Sequence, residues 1–109
     1  MEWQLAGVGA DGYELVRVKG DCDLYNAPPF TAAMIDKIAK GCARMKIDFS
    51  GVSYLDSTGV GSLIKIIKRA KAAKSELCFS GISGSPRRVL VMSNIISLIH
   101  EDERGGAVK

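Results

Sequence analysis

The sequence is poor in the residues that carry most site chemistry, with one histidine and three cysteines among 109 residues. Cys22, Cys42 and Cys78 are odd in number and widely spaced, and no Cys-x-x-Cys pair is present. That argues against a disulfide framework and against a zinc site, and leaves reduced, buried thiols as the expectation. Neither a metal nor a cofactor is expected. Long apolar runs are missing as well: the longest cover only a few residues, so no segment is suited to crossing a bilayer, and Met1-Glu2-Trp3-Gln4 lacks the basic and apolar regions of a signal peptide. A cytoplasmic chain without membrane insertion is expected. No linker, repeat or low-complexity stretch divides it, and its length suits one domain with one core over residues 1–109. The net charge of +3 is mild. The lysines concentrate in residues 65–74 without interleaved aromatics, which describes a solvated helix face and not a direct nucleic-acid surface.

What is present is a regular alternation of strand and helix signals. Trp3 and Leu5 alternate with polar or small neighbours, Gly9-Ala10-Asp11-Gly12 supplies a turn, and residues 14–19 read as a second strand, giving an opening hairpin. Residues 20–26 form a polar connection. Asn26 followed by Pro28 and Pro29 then signals a helix start, because proline fits the first turn, where its missing N–H is not needed. Phe30, Met34, Ile35 and Ile38 repeat at helical spacing until Gly41. Residues 44–49 alternate cleanly as a strand with Met45, Ile47 and Phe49 on one side. A second helix comes after a short loop, with its apolar face at Val60, Leu63, Ile64, Ile67 and Ala70. Leu77-Cys78-Phe79 is β-prone, Ser85-Pro86 opens a third helix that Asn94 ends, and residues 95–100 could supply a last strand. The tail from 101 to 109 is either a stub of helix or frayed. The fold class is therefore α/β, a mostly parallel sheet with an antiparallel opening hairpin, helices covering one face and side chains partly protecting the other.

The stretch from residue 48 to 61 concentrates the candidate chemistry. Ser57 stands at or beside the second helix's N-cap, where a hydroxyl can accept from an unpaired backbone N–H. A hydrolase serine lacks support here, because the turn reads Asp56-Ser57-Thr58-Gly59 instead of Gly-x-Ser-x-Gly and His100 lies in a poorly specified segment. Gly59-Val60-Gly61 could admit a phosphate to a helix N-terminus, yet Ile64 stands where a dinucleotide fingerprint has its third glycine, and no Gly-Lys-Ser/Thr element exists. A further reading makes Ser57 itself a substrate. A phosphate there would add about −1.5 to −2 charges, tolerated by helix N-terminal N–H groups and opposed by Asp56. A partner docked on the same surface would tolerate it far less, since an unpaired buried charge costs roughly 2–5 kcal/mol. The glycines suit either close approach by a partner or close packing within the fold.

Asp56-Ser57-Thr58-Gly59-Val60-Gly61 after a strand ending Ile47-Asp48-Phe49-Ser50, with Gly20-Asp21-Cys22-Asp23-Leu24-Tyr25-Asn26-Ala27 upstream, resembles the STAS domain family over nearly the whole chain, and within it the small stand-alone bacterial anti-sigma factor antagonists. The resemblance implies a non-enzymatic switch in which an anti-sigma factor serine/threonine kinase phosphorylates Ser57 with ATP and a PP2C-type phosphatase reverses it. Only the unmodified form would capture the anti-sigma factor, and that capture frees a sigma factor. It also implies that Asp56, Thr58 and Gly59 form the immediate setting of Ser57, and that Asp23 lies beside it and contributes to partner contact. Cys22 stands where the family commonly has an apolar residue between its two acids, the chain is mildly basic where many relatives are acidic, and the last helix is short. Two rival functions share these residues: a STAS subunit of a transport or other signalling complex, and a nucleotide-binding domain built on the turn from Gly59 to Gly61.

Overall fold

The structure, a computed structural model, describes residues 1–101. Four strands, β1 (Glu2–Val8), β2 (Glu14–Cys22), β3 (Arg44–Leu55) and β4 (Glu76–Ser80), form one sheet in the order β1-β2-β3-β4. β1 runs antiparallel to β2, whereas the β2–β3 and β3–β4 pairs are parallel. Helices α1 (Ala27–Ala39) and α2 (Ser57–Ala72) make those parallel crossovers, and α3 (Gly84–Met92) comes after β4. This is the α/β arrangement expected from the alternation of strand and helix signals, opening hairpin included.

One continuous core joins sheet and helices. Val16, Val18, Met45, Ile47, Phe49 and Phe79 from the strands meet Phe30, Met34 and Ile38 of α1, Leu63 and Ile66 of α2, and Leu90 of α3. Phe49 and Phe79 pack edge to face with centroids 5.7 Å apart, and Trp3 from the edge strand packs in the same way on Phe30. Each large apolar side chain sealed here is worth about 1.5–3 kcal/mol. The opposite face of the sheet is covered in part: Lys46 is buried, ion-paired to Asp11 at 2.6 Å and set over the Tyr13 ring, and Cys78 and Ser80 are buried beside it in the sequence alternation.

Three boundaries differ from the sequence expectation. β2 and β3 are both longer, so the polar connection after residue 19 and the loop after residue 49 are strand, paired as Asp21 with Tyr54 and Cys22 with Leu55. Two register irregularities, between Arg17 and Lys19 and between Gly20 and Asp21, accompany the change. Beyond Phe49 the buried positions are Val52 and Leu55, a spacing of three that masks the strand period. The expected last strand over 95–100 is instead centred on a 3-10 turn, Ile96–Leu98, after Asn94 ends α3 with φ 60°. Ile96 and Ile99 lie three apart and both turn inward, which suits the tighter helix. Contact with β4 is confined to the end of the segment, where the His100 carbonyl accepts from Phe79 N–H and Glu101 forms a single parallel bridge to Phe79; Arg87 is ion-paired to the Glu101 carboxylate. The helix stub or frayed end expected from 101 onwards otherwise lies outside the described residues.

The apolar face of α2 also differs. Ile66, absent from the expected stripe, is fully buried, while Ile64 and Ile67 are half-buried at the edges of the contact. Truncating Ile66 to alanine should therefore cost about 2–5 kcal/mol, and Ile64→Ala distinctly less. Urea denaturation of the two variants checks this: a loss for Ile64→Ala equal to or larger than that for Ile66→Ala would contradict the central place of Ile66.

Candidate functional site

β2 and β3 end side by side, and the loop of Asp23 and the first turn of α2 that continue from them define one end of the molecule. The Asp56 backbone N–H donates to the Cys22 carbonyl at 3.3 Å, tying the start of α2 to the end of β2. Asp56 is the N-cap of α2: its backbone is extended, and its Oδ1 accepts from the Gly59 N–H at 2.9 Å. An acid in that position satisfies an otherwise unpaired donor and also complements the positive end of the helix dipole.

The capping duty therefore falls to Asp56 and not to Ser57. Ser57 is the first helical residue, solvent-exposed, and its hydroxyl makes no hydrogen bond to any described residue. Thr58 is half-buried and Gly59 is buried.

The two glycines of the turn have different explanations. A Cβ on Gly59 would lie 2.4 Å from the Cys22 carbonyl oxygen, 2.6 Å from Leu55 Cδ1 and 3.0 Å from Cys22 Sγ. Only a residue without a side chain lets α2 start this close to β2. A Cβ on Gly61 would meet nothing within 4 Å. Gly61 is exposed and helical, so it gives up about 1 kcal/mol of helix preference relative to alanine with no compensating contact inside the chain. Close packing within the fold accounts for Gly59, and it does not account for Gly61. Because Cys22 fills the space at Gly59, the pair does not form an open phosphate cradle.

Asp23 organises the neighbouring loop. Its Oδ1 accepts from the backbone N–H of Asn26 at 2.9 Å and of Tyr25 at 3.0 Å, and from Asn26 Nδ2 at 2.8 Å, while its carbonyl accepts from Ala27 N–H. Asn26, the α1 N-cap, makes no side-chain cap bond; the Asp23 carboxylate fixes the turn before the helix, and its backbone carbonyl takes the first helical N–H, that of Ala27. The Asn26 N–H bond is the largest of the interactions that hold the Asp23 carboxyl below its ordinary value of 3.8; desolvation opposes it, and the bonds from Tyr25 N–H and Asn26 Nδ2 add to the lowering. Cys22, between the two acids, behaves oppositely. Burial first, then the charges of Asp56 and Asp23, push its thiol up to about 12, so it packs as a small neutral group.

Sequence reasoning missed the apolar rim of this end. Leu24, Tyr25 and Tyr54 are exposed, Tyr25 to 82%. All three adjoin the acidic loops, since Tyr54 pairs with Asp21 across β2 and β3 and the other two come directly after Asp23. Aromatic or aliphatic residues inside an otherwise polar connection were the available signal. Next to the rim, Thr58, Gly61 and Lys65 of α2 face Pro28, Ala32 and Ile35 of α1 across an open groove of about 480 Å³. His100 is not part of a catalytic pair with Ser57; its carbonyl accepts from Phe79 N–H beside β4. Among the described residues no cluster of His, Cys, Asp or Glu could hold a metal ion, and no helix is long and apolar enough to cross a membrane.

Comparison with known proteins bears on this arrangement. The STAS domain model matches residues 7–104, and the chain belongs to the STAS domain family. The anti-sigma-B factor antagonist of Staphylococcus epidermidis is 24% identical over 103 residues, covering 94% of this chain and 95% of that one. The solved structure of the Bacillus cell fate determinant SpoIIAA in its phosphorylated form superimposes with a TM-score of 0.71 at 20% identity, over 97% of this chain and 96% of the other. A sulfate transporter family protein from Wolinella succinogenes shares the fold with a TM-score of 0.69 at 20% identity, over 83% and 72% of the two chains.

Two measurements check the local analysis. Gly59→Ala should destabilise by about 1–3 kcal/mol through overpacking, whereas Gly61→Ala should stabilise by up to about 1 kcal/mol; thermal melts in which Gly59→Ala equals wild type would contradict the packing assigned to Gly59. The second concerns Asp23. Because its folded value is lowered, the stability it contributes is fully present above its ordinary value of 3.8 and is lost as the pH falls through the lower, folded value. The melting-temperature gap between wild type and Asp23→Asn should accordingly stay constant at neutral pH and close in acid below that range.

Proposed function

We propose that this chain is an anti-sigma factor antagonist, a non-enzymatic switch whose capture of an anti-sigma factor kinase is turned off by phosphorylation of Ser57. The observation that carries the reading is the division of labour at the start of α2: Asp56 caps the helix, and the Ser57 hydroxyl is left exposed and without a hydrogen-bond partner among the described residues. A kinase can reach that oxygen without dismantling any interaction of the fold. The named relative in Staphylococcus epidermidis supports the class of function, and the fold shared with a transporter-family protein does not compete with it, because a fold of this kind hosts several functions and the site distinguishes them.

The partner is an anti-sigma factor serine/threonine kinase that phosphorylates Ser57 with ATP and docks over Ser57, Thr58 and the loops of Asp23 and Asp56. A PP2C-type phosphatase removes the phosphate. Asp23, which is committed to its loop through three accepted hydrogen bonds, acts mainly by fixing the conformation of Leu24 and Tyr25 beside the serine. Gly59 contributes from below, by permitting the close approach that brings the two loops together. Modification adds about two negative charges to a surface that the kinase would otherwise desolvate, a penalty of roughly 2–5 kcal/mol. That corresponds to on the order of thirty- to several-thousand-fold in affinity.

The test uses the purified kinase of the host and three forms of the chain. Wild type and Ser57→Ala should both bind, wild type alone should gain one phosphate on incubation with ATP, and Ser57→Asp should lose binding while its circular dichroism is unchanged. Equal binding by Ser57→Ala and Ser57→Asp would end the proposal, as would peptide mapping that places the phosphate elsewhere.

A further inference from the structure

The groove between α1 and α2 is not used by the phosphorylation site itself, yet it opens directly beside it, with Thr58 on its wall. Gly61 and Ala32 leave its sides low, Pro28 and Ile35 supply apolar surface, and Lys65 stands on the rim with no ion-pair partner among the described residues. Gly59 has an internal reason, but Gly61 has none among the described residues: a Cβ there would meet nothing within 4 Å. A helical residue that forgoes a side chain, exposed and without an internal neighbour, is accounted for by something outside the chain that needs the room.

We infer that this groove is a second half of the docking surface, and that it receives an amphipathic helix of the same partner that covers Ser57. This rests on the function proposed above. Two helices side by side present a furrow into which a third can lie, and the distance of closest approach is set by the side chains at the contact. With glycine and alanine lining the furrow, the incoming backbone can come close, and its apolar residues at positions i, i+3, i+4 and i+7 meet Ile35 and Pro28. Charge fixes the orientation. Lys65 calls for an acidic residue on the edge of the incoming helix, whereas the Asp23 and Asp56 loops at the other end of the surface favour a basic one. The occupant is thus a helix with an apolar stripe, an acidic flank and its basic end towards Ser57. A second copy of this chain is a poorer fit, because its α1 and α2 carry their apolar stripes buried in its own core, and its α3, although Val91 and Met92 are exposed, carries Arg87 and Arg88 and no acid to meet Lys65.

The experiment measures affinity for the purified kinase with four variants. Gly61→Leu fills the furrow and should weaken capture at least tenfold. Lys65→Glu should weaken it several-fold and invert the effect of salt, so that raising ionic strength restores binding instead of reducing it. Gly61→Ala verifies folding, with a melting temperature at or above that of wild type and a smaller loss of affinity than the leucine variant. Ser57→Asp is carried in parallel. If Gly61→Leu and Lys65→Glu bind within twofold of wild type while Ser57→Asp does not bind, the groove assignment is overturned and the Ser57 switch stands. If the groove variants lose affinity and Ser57→Asp does not, the groove stands and the switch falls. Sedimentation that finds a wild-type dimer dispersed by Gly61→Leu would assign the groove to a second copy and overturn the inference.

Discussion

The contact between Gly59 and the end of β2 is the constraint on which the functional end of the molecule depends. With the Cys22 carbonyl 2.4 Å from where a Cβ would be, α2 can begin only where it does, hard against the neighbouring strand. The backbone bond from Asp56 to Cys22 and the strand pairing of Asp21 with Tyr54 belong to the same approach. These contacts bring the loop of Asp23 and the first turn of α2 onto one surface, although they are more than thirty residues apart in sequence. A surface made from two segments held this way would need little reordering on binding the proposed partner, which would lower the entropic cost.

The acids at this end are committed within their own loops. Asp23 engages three donors with Oδ1, and Asp56 engages the Gly59 N–H with its own Oδ1. Asp56 caps α2 and Asp23 fixes the turn that leads into α1. Cys22, lying between them, is kept as a neutral thiol by its burial and by their charges. What remains uncommitted is the Ser57 hydroxyl and an apolar rim of Leu24, Tyr25 and Tyr54, a combination suited to recognition and poorly suited to nucleophilic catalysis, which requires a base at hydrogen-bond distance.

Much of this was legible before any coordinates. Strand alternation at Met45, Ile47 and Phe49, the prolines at the start of α1 and the acid-hydroxyl-glycine run at α2 each carry a local physical signal, and those elements fall where the signals place them. The failures have local causes too. β3 outlasts its alternation because the buried positions beyond Phe49 are spaced by three alongside register shifts, which no period-two pattern tracks. Ile66 was passed over because four isoleucines and leucines within five residues allow more than one helical stripe, and only the position of the sheet selects among them. The distinction between Gly59 and Gly61 is invisible in sequence altogether. It is a matter of which other atoms stand nearby, and those atoms come from β2 and the end of β3.

The choice of aspartate for the cap, with serine one position inside, has a consequence for energetics. Were the serine itself the cap, its oxygen would be accepting a backbone N–H, and a phosphate would replace an interaction worth about 0.5–2 kcal/mol to the helix. With Asp56 in that role the phosphate displaces nothing. Its charge lies near the positive end of the helix, worth about 0.3–1 kcal/mol, and near the Asp56 carboxylate, which opposes it by about 0.8 kcal/mol per unit charge at roughly 5 Å in water. The two effects are of similar size and opposite sign, and salt screens both. The fold is therefore close to indifferent to modification. A partner that had to strip water from the same group would not be, so under the function proposed above the energetic cost of a phosphate on Ser57 would fall almost wholly on the interface.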